Sequence, residues 1–96
     1  MTRELPPPAA ATVDDNAVEL VRVWAARGAQ HVSLATEIWE DPAAWGVCLV
    51  DVARHVARAY QQTHGRDPSE TMSRLLAGFR AELERPTDEP KGRLVD

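Results

Sequence analysis

The chain has a single cysteine, Cys48, so it cannot close an internal disulfide. Its three histidines stand at no Cys/His spacing that fits a zinc site. A reducing cytoplasm is the setting this cysteine usage predicts. Basic charge is also short: 11 Lys and Arg against 15 Asp and Glu leave a net charge of −4. Binding to DNA or RNA releases counterions through a basic stripe, and the arginines here are interleaved with acids, so nucleic acid is not an expected partner. A basic membrane-surface helix is excluded on the same ground. No apolar run reaches the ~18 residues of a membrane-spanning helix. The five glycines are scattered, so no phosphate-cradling loop is present. No Ser/His/Asp order worth proposing emerges, and neither an enzyme nor a cofactor is expected. Met1-Thr2-Arg3-Glu4-Leu5-Pro6-Pro7-Pro8 carries prolines where a secretory leader would need an apolar stretch, so no leader is expected.

What is present is unevenly placed. Pro6-Pro7-Pro8 favours a polyproline conformation, and Ala9-Ala10-Ala11 follows with nothing evident to pack on. Pro86 and Pro90 stand in a polar, charged C-terminal segment. The apolar residues lie between Ala17 and Leu83. The organisation predicted is one domain over 16–85, with disordered tails at 1–15 and 86–96. A lone core in a domain of about 70 residues is marginal, so packing or a second chain must add stability.

Val18 to Ala35 fits two templates. Ala17, Leu20, Val21, Trp24 and Ala25 fit helical spacing with Gly28 as a C-cap. Val18, Val21, Val23 and Trp24 are strand formers. Register favours the strand reading. With Arg27-Gly28 at the centre of a turn, Val23 faces Val32 and Val21 faces Leu34 on one side. Trp24 then faces His31, Arg22 faces Ser33 and Leu20 faces Ala35 on the other. Arg at a positive-φ position is unfavourable, and a four-residue loop would keep the same register without it.

Asp41-Pro42 reads as a helix start, with Asp41 as N-cap and Pro42 at the first helical position. Ile38 and Trp39 precede it in the position of a hydrophobic staple. The helix should reach about Thr63, with His64 at the dipole's negative end and Gly65 as left-handed cap. Around it, Cys48, Ala59, Val52, Trp45, Val56, Leu49, Tyr60, Ala53, Gly46, Ala57 and Val50 lie on one arc wider than half the circumference. Asp51, Arg54, His55, Arg58, Gln61 and Gln62 fill the rest, with Val47 as the exception. A surface helix needs only a stripe of roughly 100°. Asp67-Pro68-Ser69-Glu70 repeats the start signal with a capping box. Met72, Leu75, Leu76, Phe79 and Leu83 then follow helical spacing to about Arg85, where Pro86 stops it.

The predicted fold is α+β: a β-hairpin packed on a long central helix, followed by a second, antiparallel helix. A wide apolar arc, open strand edges and a small core together predict a homodimer. Its interface would use Leu20, Arg22 and Trp24 of the hairpin and Val47 and Val50 of the helix. The function this supports is a non-enzymatic, cytoplasmic protein–protein interaction domain.

The rival reading is a small-molecule or metal site. His31 beside Trp24, with Trp39, are candidate ligand-binding residues, since an imidazole near an indole can titrate near neutrality. Asp51 and His55, one helical turn apart, are a weak candidate metal pair without an evident third ligand. The plainer readings are a packed histidine and an i, i+4 ion pair on a solvated face. Glu37, Glu40 and Asp41 form an acidic cluster in which Asp41 already has a capping role. Cys48 reads as a small core residue.

Several blocks resemble a known family. They are Val21-Arg22-Val23-Trp24, Gly28 with Gln30-His31-Val32, Trp39-Glu40-Asp41-Pro42-Ala43-Ala44-Trp45-Gly46, and Ala53-Arg54-His55-Val56-Ala57-Arg58-Ala59-Tyr60. They span the hairpin and central helix and resemble a family of short, uncharacterised bacterial proteins defined as a domain of unknown function. The family looks glycine-rich where this chain has Ala26-Arg27-Gly28-Ala29, which implies a turn there. The resemblance implies no activity, substrate or cofactor.

Overall fold

A computed structural model describes residues 3–87. The elements run α1 (Ala9–Val13), β1 (Val21–Ala26), β2 (Ala29–Leu34), α2 (Ala43–His64) and α3 (Pro68–Glu84). The fold is α+β, a hairpin followed by two helices, as the residue pattern predicts. The described residues form two compact units, one ending at Ile38 and the other beginning at Trp39.

In the first unit, β1 and β2 pair antiparallel with Val21↔Leu34, Arg22↔Ser33, Val23↔Val32 and Trp24↔His31. This is the register predicted, and Ala35 N–H donating to the Leu20 carbonyl at 3.0 Å continues it. The turn has two residues, not four: Arg27 has φ 53° and Gly28 φ 71°. Positive φ at both central positions defines a type I′ turn, whose twist matches the strands it joins. Glycine takes this conformation freely, whereas arginine brings its Cβ against the next carbonyl. Arg27→Asn is therefore expected to stabilise the hairpin by about 1 kcal/mol. The urea midpoint of β1 and β2, followed through their amide resonances, measures this; an unchanged or lower midpoint would show that Arg27 carries no strain.

α1 stands in the segment read as a disordered tail. It is one short turn without buried residues, and Thr12 Oγ1 donates back to the Ala9 carbonyl at 2.7 Å. Alanine's helix propensity supports such a turn. The predicted C-terminal tail lies mostly outside the described residues. Thr87, within them, donates to Glu82 Oε1 through its N–H (2.9 Å) and its hydroxyl (2.7 Å).

In the second unit, α2 starts at Ala43, with Pro42 rather than Asp41 at the capping position. The reason is a tight first turn: Ala44 N–H bonds the Asp41 carbonyl (3.1 Å) and Trp45 N–H the Pro42 carbonyl (3.0 Å). Asp41 Oδ1 still accepts from Ala43 N–H at 2.9 Å, so it satisfies an orphan donor of the helix start. Gly65, at φ 67°, ends α2, and its N–H bonds the Gln61 carbonyl at 2.9 Å. Asp67 caps α3 by accepting from Glu70 N–H at 3.2 Å. The Glu70 carboxylate lies 3.8 Å from Arg66 Nη2.

α2 and α3 contact each other across the three-residue link 65–67, which folds α3 back along α2. Small side chains fill the buried positions. Ala57 of α2 is 3% exposed and Thr71 of α3 is 5% exposed; among the described residues no others are buried. The Thr71 hydroxyl has no hydrogen-bond partner.

Candidate functional site

The surface of this molecule is more informative than its interior. Valine, leucine and phenylalanine side chains that a helix normally buries are open on both α2 and α3. On α2, Leu49, Val52 and Tyr60 are exposed, and Trp45 and Val56 are half-buried. Their spacing of 45, 49, 52, 56 and 60 puts all five on one stripe. Val50 is also exposed and shares a face with Ala53 and buried Ala57. Val47, 73% exposed, lies in line with Asp51, Arg54 and Arg58 and so is an isolated apolar residue on a charged face. On α3, Phe79 is 58% and Leu83 68% exposed, on the stripe of half-buried Met72 and Leu75. Both helices therefore leave large apolar side chains open at helical spacing.

The sequence-predicted ligand groups do not converge within one unit. Trp24 and His31 face each other across the hairpin ladder. His31 Nε2 donates to the Ala26 carbonyl at 3.1 Å, a bond that ties the imidazole to the turn. Trp39 stands in the other unit and pairs with Trp45, ring centroids 5.0 Å apart and planes at 79°. That edge-to-face contact across the α2 start is the staple predicted from Ile38-Trp39, with the indole quadrupoles favouring this geometry. His55 Nδ1 donates to the Asp51 carbonyl at 2.8 Å and lies 3.6 Å from Asp51 Oδ2; both side chains are exposed. Among the described residues no group of three or more His, Cys, Asp or Glu side chains is placed to hold a metal ion. Cys48 is half-buried.

A second feature has no local sequence signal. Glu4 reaches across eighteen positions to Arg22, Oε2 to Nη1 at 3.1 Å. The same guanidinium is gripped by Glu19: Nε donates to Oε1 at 3.0 Å and Nη2 to Oε2 at 3.1 Å. Glu19 first, through its hydrogen bonds and charge, and then Glu4 hold the Arg22 pKa above its ordinary value. Between the arm 3–8 and β1 runs a cleft of about 470 Å³, lined by Leu5, the three prolines and residues 21–24 among others.

The ladder fixes which side of β1 this is. Because Ala35 N–H bonds the Leu20 carbonyl, the closely bonded pairs are Leu20/Ala35, Arg22/Ser33, Trp24/His31 and Ala26/Ala29. Val21, Val23 and Ala25 therefore turn their N–H and C=O groups to the outer edge of β1. Alternate residues of a strand point to opposite faces, and both sets line the cleft. The cleft thus follows the outer edge, with the arm beside it.

Among the described residues no helix is long and apolar enough to cross a membrane. A family model described as "Domain of unknown function (DUF5076)" matches residues 4–87. A solved structure of a "putative pyruvate dehydrogenase" from the photosynthetic bacterium Rhodopseudomonas palustrus CGA009 is 31% identical, with a TM-score of 0.73, and the match covers 100% of this chain and 98% of that one. No curated protein matches the chain.

Proposed function

The chain belongs to the family described as a domain of unknown function (DUF5076), and from that membership, which assigns no chemistry, we propose that it is a non-enzymatic interaction module acting as a homodimer. The observation that carries this is the open stripe Trp45–Leu49–Val52–Val56–Tyr60 on α2. A helix bearing such a stripe gains about 1.5–3 kcal/mol for each large apolar side chain it covers. A second copy presents the same stripe, and a twofold axis makes one patch complementary to itself. Leu20, Arg22 and Trp24 are the contact residues proposed in the hairpin unit, and in the helical unit Val50 flanks the stripe. Val47, isolated among charges, sits at its rim. The small buried set of each chain supports the same reading, because so few covered side chains leave a single domain marginal.

Sedimentation equilibrium from about 5 to 200 μM is expected to fit a monomer–dimer equilibrium with a micromolar dissociation constant, the range of a modest apolar interface. A single species of monomer mass across that range overturns the proposal.

A further inference from the structure

We propose that residues 3–8 are a strap that guards the outer edge of β1, latched by the Glu4–Arg22 ion pair, and that a second copy of this chain displaces it to pair edge to edge through β1. The inference rests on the homodimer reading above and concerns how one part of that interface is opened.

An unpaired strand edge is a template for any other strand, and proteins blunt such edges with prolines, charges or a covering loop. The arm supplies all three: Pro6-Pro7-Pro8, the charge of Glu4, and its position along the cleft beside residues 21–24. Three consecutive prolines have no N–H, so they cannot donate to the outward carbonyls of Val21, Val23 and Ala25. The strap covers the edge without extending the sheet. It can leave without breaking the β1–β2 ladder, whose bonds lie on the other side of β1. Its latch is weak by construction. Arg22 is 41% and Glu4 60% exposed in their side chains, and an exposed pair is readily screened. Glu19 holds the guanidinium in place when Glu4 departs, so Arg22 stays aimed.

The register of β1 names the occupant. Val23 is an outward-bonding residue, so two antiparallel copies centred on Val23 form a closely bonded Val23/Val23 pair. Arg22 of each copy then stands directly opposite Trp24 of the other, in the non-bonded position where side chains approach most closely. A guanidinium over an indole is a favourable cation–π contact, and the twofold makes it twice. A generic extended peptide would not reproduce both.

The test uses the full chain. Glu4→Gln removes the latch and leaves the arm's length unchanged. Loss of one exposed ion pair raises the open fraction roughly twofold to fivefold. Both copies must open, so the dimer dissociation constant falls by the square of that factor, roughly fourfold to twenty-fivefold. Raising NaCl from 50 to 500 mM should tighten the wild type and leave Glu4→Gln unchanged, whereas apolar association alone would respond to salt equally in both. The Trp24 indole N–H resonance, followed by NMR below the dissociation constant, reports strap opening directly. Adding Val23→Pro to Glu4→Gln removes an outward donor without touching a β1–β2 bond, and should cancel the gain. A wild type that dimerises with Glu4→Gln showing the same constant and salt response overturns the strap and leaves the helical interface standing. A Trp24 resonance that shifts while the constant stays fixed overturns edge pairing. A chain monomeric in every variant overturns the homodimer reading itself, and edge pairing with it.

Discussion

Ala57→Asp is expected to abolish the cooperative unfolding transition of the helical unit. Ala57 is 3% exposed on α2, and α3 is the helix that α2 packs against. A carboxylate at 57 is carried into the covered position that the native methyl group occupies. An uncompensated buried charge costs about 3–5 kcal/mol, which is most or all of the stability of a small domain. The cost is large because the seam is built of small residues. Alanine at 57 and threonine at 71 are the two buried side chains among the described residues, and both are small. Ala57→Val, uncharged, should still cost about 1–3 kcal/mol by overpacking. The control is Ala59→Asp, two residues on and exposed, where only helix propensity changes, by about 0.5 kcal/mol. Urea denaturation followed at 222 nm separates the three. Equal midpoints for Ala57→Asp and Ala59→Asp would mean that position 57 is wet in solution.

The hairpin was legible because its signal is local and redundant. Val21, Val23, Val32 and Leu34 alternate with Arg22, Trp24, His31 and Ser33, and one register satisfies both faces. The helices were legible because Asp-Pro starts and Gly65 and Pro86 stops bracket apolar residues at helical spacing. The one-residue shift at the α2 start reflects two short hydrogen bonds that no residue type dictates. α1 was read as tail because three alanines without a packing partner give propensity but no periodicity. The Glu4–Arg22 contact joins positions far apart in sequence, and charge alone offers Arg22 many equal partners. The width of the α2 arc was visible, and with it the need for cover. Which sector stays open was not, because that depends on where α3 lands. Val47 was legible as the apolar exception among Asp51, Arg54 and Arg58; that Leu49 and Val52 stay open within the arc was not.

That distinction gives the second large effect. Val52→Glu combined with Leu49→Glu is expected to abolish self-association, while Val47→Glu leaves it nearly unchanged. Val47 is 73%, Leu49 55% and Val52 48% exposed in the single chain, so each substitution removes only part of a side chain's cover from the monomer. On a twofold interface each substitution acts in both copies. Losing cover for one such side chain costs about 1.5 kcal/mol at the low end, so two residues in two copies cost roughly 6 kcal/mol. That is about four orders of magnitude in dissociation constant. Like charges brought together across the axis add to the loss. Val47→Glu instead places an acid one turn from Asp51 and two turns from Arg54, a change of surface charge worth a few tenths of a kcal/mol. Sedimentation equilibrium reads the constants, and circular dichroism confirms that each variant keeps its helices. If Val47→Glu dissociates the dimer and the Leu49/Val52 pair does not, the partner seats on the charged side of α2, and the stripe 45–60 is not the interface.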